Sequence, residues 1–156
     1  MLRGPSSILV SASTLTALLV LAAGADARIA VNRSVAGIGL GMTAKEVRAT
    51  LGRPTLSTVG SGARNLVYRR RALVVTLVRE RVVIVATRST RERTAAGIGV
   101  GSTASAVRRR VARARCGEKA AIVFCRVGSI RAGRRSTTFE IQAGRVVTVT
   151  VARGLG

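Results

Sequence analysis

The chain has 156 residues, of which 27 are Lys or Arg and 6 are Asp or Glu, so its formal net charge at pH 7 is +21. It contains no histidine, which excludes Ser-His and Cys-His nucleophile pairs as well as imidazole metal ligands. Hydrophobic residues make up 47% of the chain, enough to build a core beneath this charge. Arg outnumbers Lys 25 to 2, a skew that genome base composition produces without selection for a partner.

The first 27 residues have the pattern of a secretory signal. Arg3 opens the segment, an apolar run of 16 residues follows from position 8, and Ala25 and Ala27 supply the small residues of a cleavage site. The run is shorter than the ~20 residues that span a bilayer comfortably. We therefore predict a signal peptide at residues 1–27 and a secreted or extracytoplasmic mature chain. A retained N-terminal membrane anchor is the alternative.

A short helix is expected next. Thr43 precedes Ala44 and stands three residues before Glu46, the spacing of a capping box in which each side chain accepts a hydrogen bond from the backbone of the other residue. Gly52 and a proline two residues later supply the stop. The predicted helix spans about Thr43 to Leu51.

Three strands are predicted after this helix, at residues 65–70, 72–78 and 82–87. Alternation places Val75, Leu77, Val83 and Val85 on the inner face of the sheet. The outer face then carries Val74, Thr76, Val78, Val82 and Ile84, which is unusually apolar for an exposed sheet. Either this face is covered by the second half of the chain or by the arm at residues 28–36, or it binds a partner. The candidate contacts are Tyr68, Thr76, Val78, Val82 and Ile84.

The chain then repeats itself. Residues 36–48 read Ala-Gly-Ile-Gly-Leu-Gly-Met-Thr-Ala-Lys-Glu-Val-Arg, and residues 96–108 match them at an offset of 60. In the second copy Thr103 keeps the cap position, but Ala106 replaces the acidic residue of the box, so only half of the box is expected there. Self-similarity of this kind indicates a duplicated supersecondary unit. We place the first repeat at residues 28–94 and the second at residues 95–156.

The chain has two cysteines, Cys116 and Cys125. The predicted export carries both to a compartment in which disulfides persist. We expect a structural bridge that closes a short loop in the second repeat, with two buried free thiols as the alternative.

The second repeat continues with strands predicted at residues 121–126, 136–142 and 145–151. Thr137, Phe139 and Ile141 alternate with polar residues, and Val147 and Val149 follow the turn in the same phase. The predicted fold class is therefore α+β: two tandem repeats, each a short helix packed on a small antiparallel sheet of about three strands.

The run from Gly41 to Pro54, Gly-Met-Thr-x-x-Glu-Val-x-x-x-Leu-Gly-x-Pro, resembles the SmpA/OmlA (BamE) unit when taken with the Tyr68-bearing strand and the hairpin after it. It is also similar to the fold of β-lactamase inhibitor protein, itself a tandem of two such units. The resemblance implies a protein-binding role in outer-membrane assembly or in enzyme inhibition. The chain lacks the lipidation cysteine of the assembly lipoproteins and the aromatic-rich sheet of the inhibitor.

Three arginine runs are candidate anion contacts. Their exposure alone explains them as a solvated surface, and attraction to anionic envelope polymers or lipid head groups is the functional interpretation. A nucleic-acid partner is disfavoured, because stacking aromatics and a recognition helix are not evident. The members are Arg69, Arg70, Arg71, Arg108, Arg109, Arg110, Arg134 and Arg135.

These observations predict an exported, non-enzymatic protein-interaction module of the cell envelope with no cofactor and no metal. The glycine-rich segment before each helix lacks the Gly-Lys-Ser/Thr end of a phosphate loop, and the mature carboxylates are scattered rather than paired. The alternatives are a structural envelope protein that binds anionic polymers or lipids through its arginines, and an inhibitor of a secreted enzyme.

Overall fold

The computed structural model describes residues 28–156. The predicted signal peptide at residues 1–27 lies outside the described residues. Among residues 28–156, no helix combines the length and the hydropathy needed to cross a bilayer.

One continuous antiparallel sheet of eight strands dominates the fold. Its strands, numbered after three short strands of the N-terminal arm, are β4 (Leu56–Gly60), β5 (Ala63–Tyr68), β6 (Leu73–Val78), β7 (Arg81–Thr87), β8 (Arg115–Lys119), β9 (Ile122–Gly128), β10 (Arg135–Gln142) and β11 (Arg145–Arg153). They lie in the order β4-β5-β6-β7-β11-β10-β9-β8. The two halves of the chain contribute four strands each and meet where β7 pairs with β11.

A second, three-stranded sheet is formed by the N-terminal arm. Its strands are β1 (Ile29–Ala30), β2 (Ser34–Val35) and β3 (Ile38–Gly39). Ile29, Val35 and Ile38 are buried in the same core as the large sheet. The backbone N–H of Asn32 also donates to Thr137 Oγ1 of β10 at 2.6 Å. The arm therefore closes the core on the inner face of the large sheet, where the side chains of alternate strand residues are buried.

The predicted α+β class is wrong. Residues 28–156 form mostly strand, in sheets of three and eight strands with two α-helices, and not two units with separate small sheets. Separate units would leave the edges of β7 and β11 unpaired, and pairing these edges satisfies their backbone groups. The proposed boundary between residues 94 and 95 falls between β7 and the second helix and stays a prediction.

Both helices begin where the caps predict. α1 spans Ala44–Leu51 after a complete capping box. The Thr43 N–H donates to Glu46 Oε2 at 2.6 Å, and the Glu46 N–H donates to Thr43 Oγ1 at 3.3 Å. α2 spans Ala104–Arg110, and only Thr103 caps it, through the Ala106 N–H at 3.1 Å. Val47 and Val107 point from the two helices into the core.

The capping box makes the stability of the fold depend on pH in the acidic range. Hydrogen bonds from the backbone and the hydroxyl of Thr43, with a weaker attraction to Arg81, hold the pKa of Glu46 below its usual value of 4.5. A carboxylate whose pKa is depressed by folding stabilises the fold above its unfolded pKa, and this contribution disappears as the pH falls through the folded value. We expect Glu46→Gln to flatten the loss of stability below pH 4.5, measured as urea midpoints across a pH series. If the urea midpoints of the variant fell as steeply below pH 4.5 as those of the wild-type chain, this role for the box would be contradicted.

The repeated glycines form matching turns. Gly41 and Gly101 have φ angles of 92° and 88°, in the left-handed region that favours glycine. The Gly41 N–H donates to the Val82 carbonyl at 2.8 Å, and the Gly101 N–H donates to the Val146 carbonyl at 2.8 Å. Each turn thus anchors the start of a helix to the last strand of its own half. The sequence repeat is present as two matching halves of one sheet.

The same valines mark a β-bulge in each half. Thr76 pairs with Ile84 but Leu77 pairs with Val82, and the register shifts in the same way between Glu140 and Ile141. Val83 is the extra, unpaired residue of the first bulge. Because of it Val82 points inward, and Val82 is fully buried. Simple alternation predicts Val82 on the outer face, and that prediction is wrong.

The predicted disulfide is confirmed: Cys116 of β8 and Cys125 of β9 are directly opposed and bonded. Their sequence separation is 9. Closing so small a loop restricts the unfolded chain and contributes about 2 to 3 kcal/mol to the free energy of unfolding.

We expect dithiothreitol to lower the free energy of unfolding by this amount, about 2 to 3 kcal/mol. Urea denaturation of oxidised and reduced protein measures the difference. Reduction of the wild-type chain is preferable to a serine variant, because Cys125 is fully buried and a hydroxyl there adds a separate cost. Equal midpoints with and without reductant would contradict the stabilising role of the bridge.

Candidate binding surface of the sheet

One face of the eight-stranded sheet is left open by the rest of the described chain. The helices and the N-terminal sheet pack on the inner face, where the buried side chains lie. The opposite face presents a cross-strand row formed by Thr58, Asn65, Thr76, Ile84 and Ala152. We call this the outer face. It is covered neither by the second half, which lies edge to edge with the first, nor by the arm at residues 28–36.

Three of the five predicted contact residues reach the outer face. Thr76, Val78 and Ile84 are each partly exposed there. Thr76 Oγ1 donates to Asn65 Oδ1 at 2.7 Å, which orients both polar groups across β5 and β6. The remaining two, Tyr68 and Val82, are buried and turn towards the core.

Tyr68 serves the fold rather than the surface. Its ring is 4% exposed, and its hydroxyl donates to the Gly52 carbonyl at 3.3 Å, just after α1. Burial raises the pKa of the Tyr68 hydroxyl, and the positive charges of Arg48 and Arg71 oppose this shift. The phenol therefore holds the end of α1 against β5.

Sequence reasoning missed an aromatic site on the second half of the outer face. The guanidinium carbon of Arg126 lies 4.6 Å from the centre of the Phe124 ring, and Arg126 Nε donates to Thr138 Oγ1 at 3.0 Å. Phe124, Arg126 and Thr138 share this face because β9 and β10 place them in register. The phase of Thr138 was readable from the alternation of β10, but the short predicted strand at 121–126 gave no sign of the pairing.

Two cavities adjoin on the outer face, and Glu140 lines both. The larger has about 610 Å³, an apolar floor that includes Val74 and Ala86, and a rim with Arg69 and Arg88. The smaller has about 300 Å³ and is lined by Phe124 and Arg126 among others. Thr148 also lines the larger cavity, and its buried Oγ1 has no hydrogen-bond partner. Together the two cavities form a shallow groove across the strands, with arginine side chains at both ends.

All eight arginines of the three predicted runs are exposed. They lie in three places: a 3-10 turn (Arg69–Arg71) after β5, the last turn of α2, and the segment leading into β10. Within residues 28–156, Arg64 and Glu80 form the one salt bridge, at 3.3 Å. Carboxylates of the described chain therefore do not neutralise the three runs.

Among the described residues, His, Cys, Asp and Glu nowhere form a group of three suited to a metal ion. Glu92 is buried, and its Oε2 has no hydrogen-bond partner.

No protein-family model matches the chain, and no curated protein matches it in sequence. Solved structures do resemble it. An extracellular protein containing a SCP domain from Bacillus anthracis aligns with a TM-score of 0.56 at 10% identity, over 73% of this chain and 44% of that one. A DUF4309 family protein from Bacillus subtilis aligns with a TM-score of 0.51 at 12% identity, over 83% of this chain and 90% of that one.

A cysteine-rich secretory protein from Staphylococcus aureus aligns with a TM-score of 0.50 at 12% identity, over 73% of this chain and 44% of that one. These likenesses show the fold alone. In two of the three, this chain matches less than half of the neighbour's length. The resemblance to SmpA/OmlA and to β-lactamase inhibitor protein is wrong: the helix start that carried it is real, but the neighbours belong to other families. The disulfide itself points to an oxidising compartment outside the cytoplasm.

Proposed function

We propose that the chain is an exported, non-enzymatic binding protein of the cell envelope that holds a partner protein on the outer face of its large sheet. The observation that carries this proposal is the open outer face, which combines exposed hydroxyl groups, small apolar side chains and the Phe124–Arg126 pair. Aromatic and arginine side chains are enriched in protein interfaces. The disulfide supports a location outside the cytoplasm.

A photo-crosslinking side chain in place of Thr76 tests the proposal in the native envelope. Thr76 lies on the outer face in β6, the third strand from the β4 edge, whereas Ala49 is exposed on α1 on the opposite side of the fold. We expect one reproducible protein to be crosslinked from position 76 and not from position 49. Equal yields from both positions, or capture of anionic polymer alone, would overturn the proposal.

The exposed arginine runs favour a second candidate, a structural protein held to anionic polymers or lipid head groups. This candidate predicts attraction that weakens as added salt shortens the Debye length from about 10 Å at 0.1 M to about 3 Å at 1 M. Retention on an anionic matrix across that range measures it. If added salt abolishes both the retention and the crosslink from position 76, the charge-based role is favoured. If the crosslink survives 1 M salt, the protein partner is favoured.

A further inference from the structure

The two edges of the eight-stranded sheet differ in a way that bears on binding. At one edge, β8 carries the charged residues Arg115, Glu118 and Lys119, and a disulfide fastens it to β9. Charged side chains on an edge strand oppose the addition of a further strand. The β8 edge is thus protected.

The β4 edge lacks this protection. Its five residues, Leu-Ser-Thr-Val-Gly, carry no charge and are all exposed. Leu56 is 45% exposed and Val59 is 74% exposed. Within residues 28–156 β4 pairs only with β5, so its other side presents unpaired backbone N–H and carbonyl groups. An uncharged, extended edge is a template for strand addition.

Positive charge is concentrated at one end of this edge. The Arg69 N–H donates to Thr55 Oγ1 at 3.2 Å, which places the Arg69–Arg71 turn beside the residue that precedes β4. Arg53 is exposed two residues earlier in the chain. At the other end, Arg64 lies opposite Val59 and is already paired with Glu80. Arg79, in the turn after β6, is exposed at this end as well. Most of the guanidinium groups near β4 without a carboxylate partner in the described chain therefore lie at the Leu56 end.

We propose that β4 accepts an extended, acidic segment of a partner protein as a further antiparallel strand. The antiparallel direction follows the rest of the sheet, in which every pairing is antiparallel, and it places the C-terminal end of the segment at the Leu56 end. Acidic residues beyond the paired part then contact Arg53 and the Arg69–Arg71 turn. A second copy of the chain is disfavoured as the occupant, because each copy carries a net charge of +21. The inference rests on the proposed role in protein binding but uses the sheet edge instead of the outer face.

The test uses two peptides with the same composition. Each has five alternating Thr and Val residues, the length of β4, and a short run of Glu placed at the C-terminal end in one and at the N-terminal end in the other. We expect the peptide with C-terminal Glu to bind roughly tenfold more tightly, about 1.4 kcal/mol, as measured by fluorescence anisotropy. Hydrogen exchange should slow at β4 amides and remain unchanged in β8.

A matched pair of variants locates the charge. Arg70→Ala with Arg71→Ala removes two charges beside β4, and Arg108→Ala with Arg109→Ala removes two charges on α2, which contacts the far half of the sheet at β9. Only the first pair should weaken binding, by roughly tenfold. Equal affinity for both peptides, unchanged exchange at β4, or β4 protected by a dimer without peptide would overturn the inference. Exchange that slows only around Thr76 and Ile84 would overturn it and leave the outer-face proposal intact.

Discussion

Replacing Phe139 with alanine is expected to lower the free energy of unfolding by about 3 to 5 kcal/mol. Phe139 is the largest fully buried side chain and points from β10 into the core that both halves share. Across the strands it lies opposite Val149 and Cys125. Its removal leaves a cavity at the junction of strands and helices that well-packed neighbours fill only in part. Domains of this size have a total stability of about 5 to 15 kcal/mol, so the loss is a large share.

Phe124 provides the matched control. It is also an aromatic residue of the second half, but it is partly exposed on the outer face, so Phe124→Ala should cost about 1 kcal/mol or less. Urea unfolding followed by circular dichroism measures both variants. Phe139→Leu, with a smaller loss, keeps the comparison possible where the alanine variant does not fold. Similar losses at positions 124 and 139 would contradict the assignment of the core to the inner face.

The helix starts were predictable because their signals are local. Thr43 and Glu46 are three residues apart, and their hydrogen bonds are those that the capping box requires. The alternation of Thr137, Phe139 and Ile141 likewise placed the inner face of β10 correctly. In each case the neighbours that decide the structure lie within the same element.

Other features depend on partners distant in the chain. Pairing of β7 with β11 joins residues more than sixty positions apart, as between Ile84 and Ala152, and no local pattern marks it. β4 was missed because its five residues are exposed on both faces and show no alternation. The strands of the arm have two residues each and exist through contacts with one another and with the core.

The candidate binding surface was likewise predictable only where local alternation determines it. Thr76 and Ile84 were placed outward correctly, because the alternation of their strands holds up to the bulge. Val82 lies just beyond the bulge and was placed on the wrong face. The pairing of Arg126 with Phe124 and Thr138 needed the register of two strands, which one strand's sequence does not contain. Periodicity therefore predicts the part of the outer face around Thr76 and Ile84, whereas the part around Phe124 and Arg126 depends on strand pairing.

The bulge in the second half leads to the second large effect that we expect. Val146 is 1% exposed, whereas its neighbour Val147 is the extra residue of the bulge and is partly exposed. Val146→Asp places a charge without a partner in the core and should cost more than about 3 kcal/mol, a large share of a total stability of about 5 to 15 kcal/mol. Val147→Asp should change the free energy of unfolding by about 1 kcal/mol or less.

Threonine at the same two positions keeps the test quantitative where the aspartate variant does not fold. Val146→Thr buries a hydroxyl group in nearly the same volume and should cost about 1 to 3 kcal/mol, while Val147→Thr should stay within about 0.5 kcal/mol of the wild-type chain. Urea midpoints of the four variants measure the order. Strict alternation from Val149 predicts the reverse, with Val147 in the core and Val146 outside. A larger loss at position 147 would therefore place the bulge elsewhere, and with it the orientation of Val82 in the matching half.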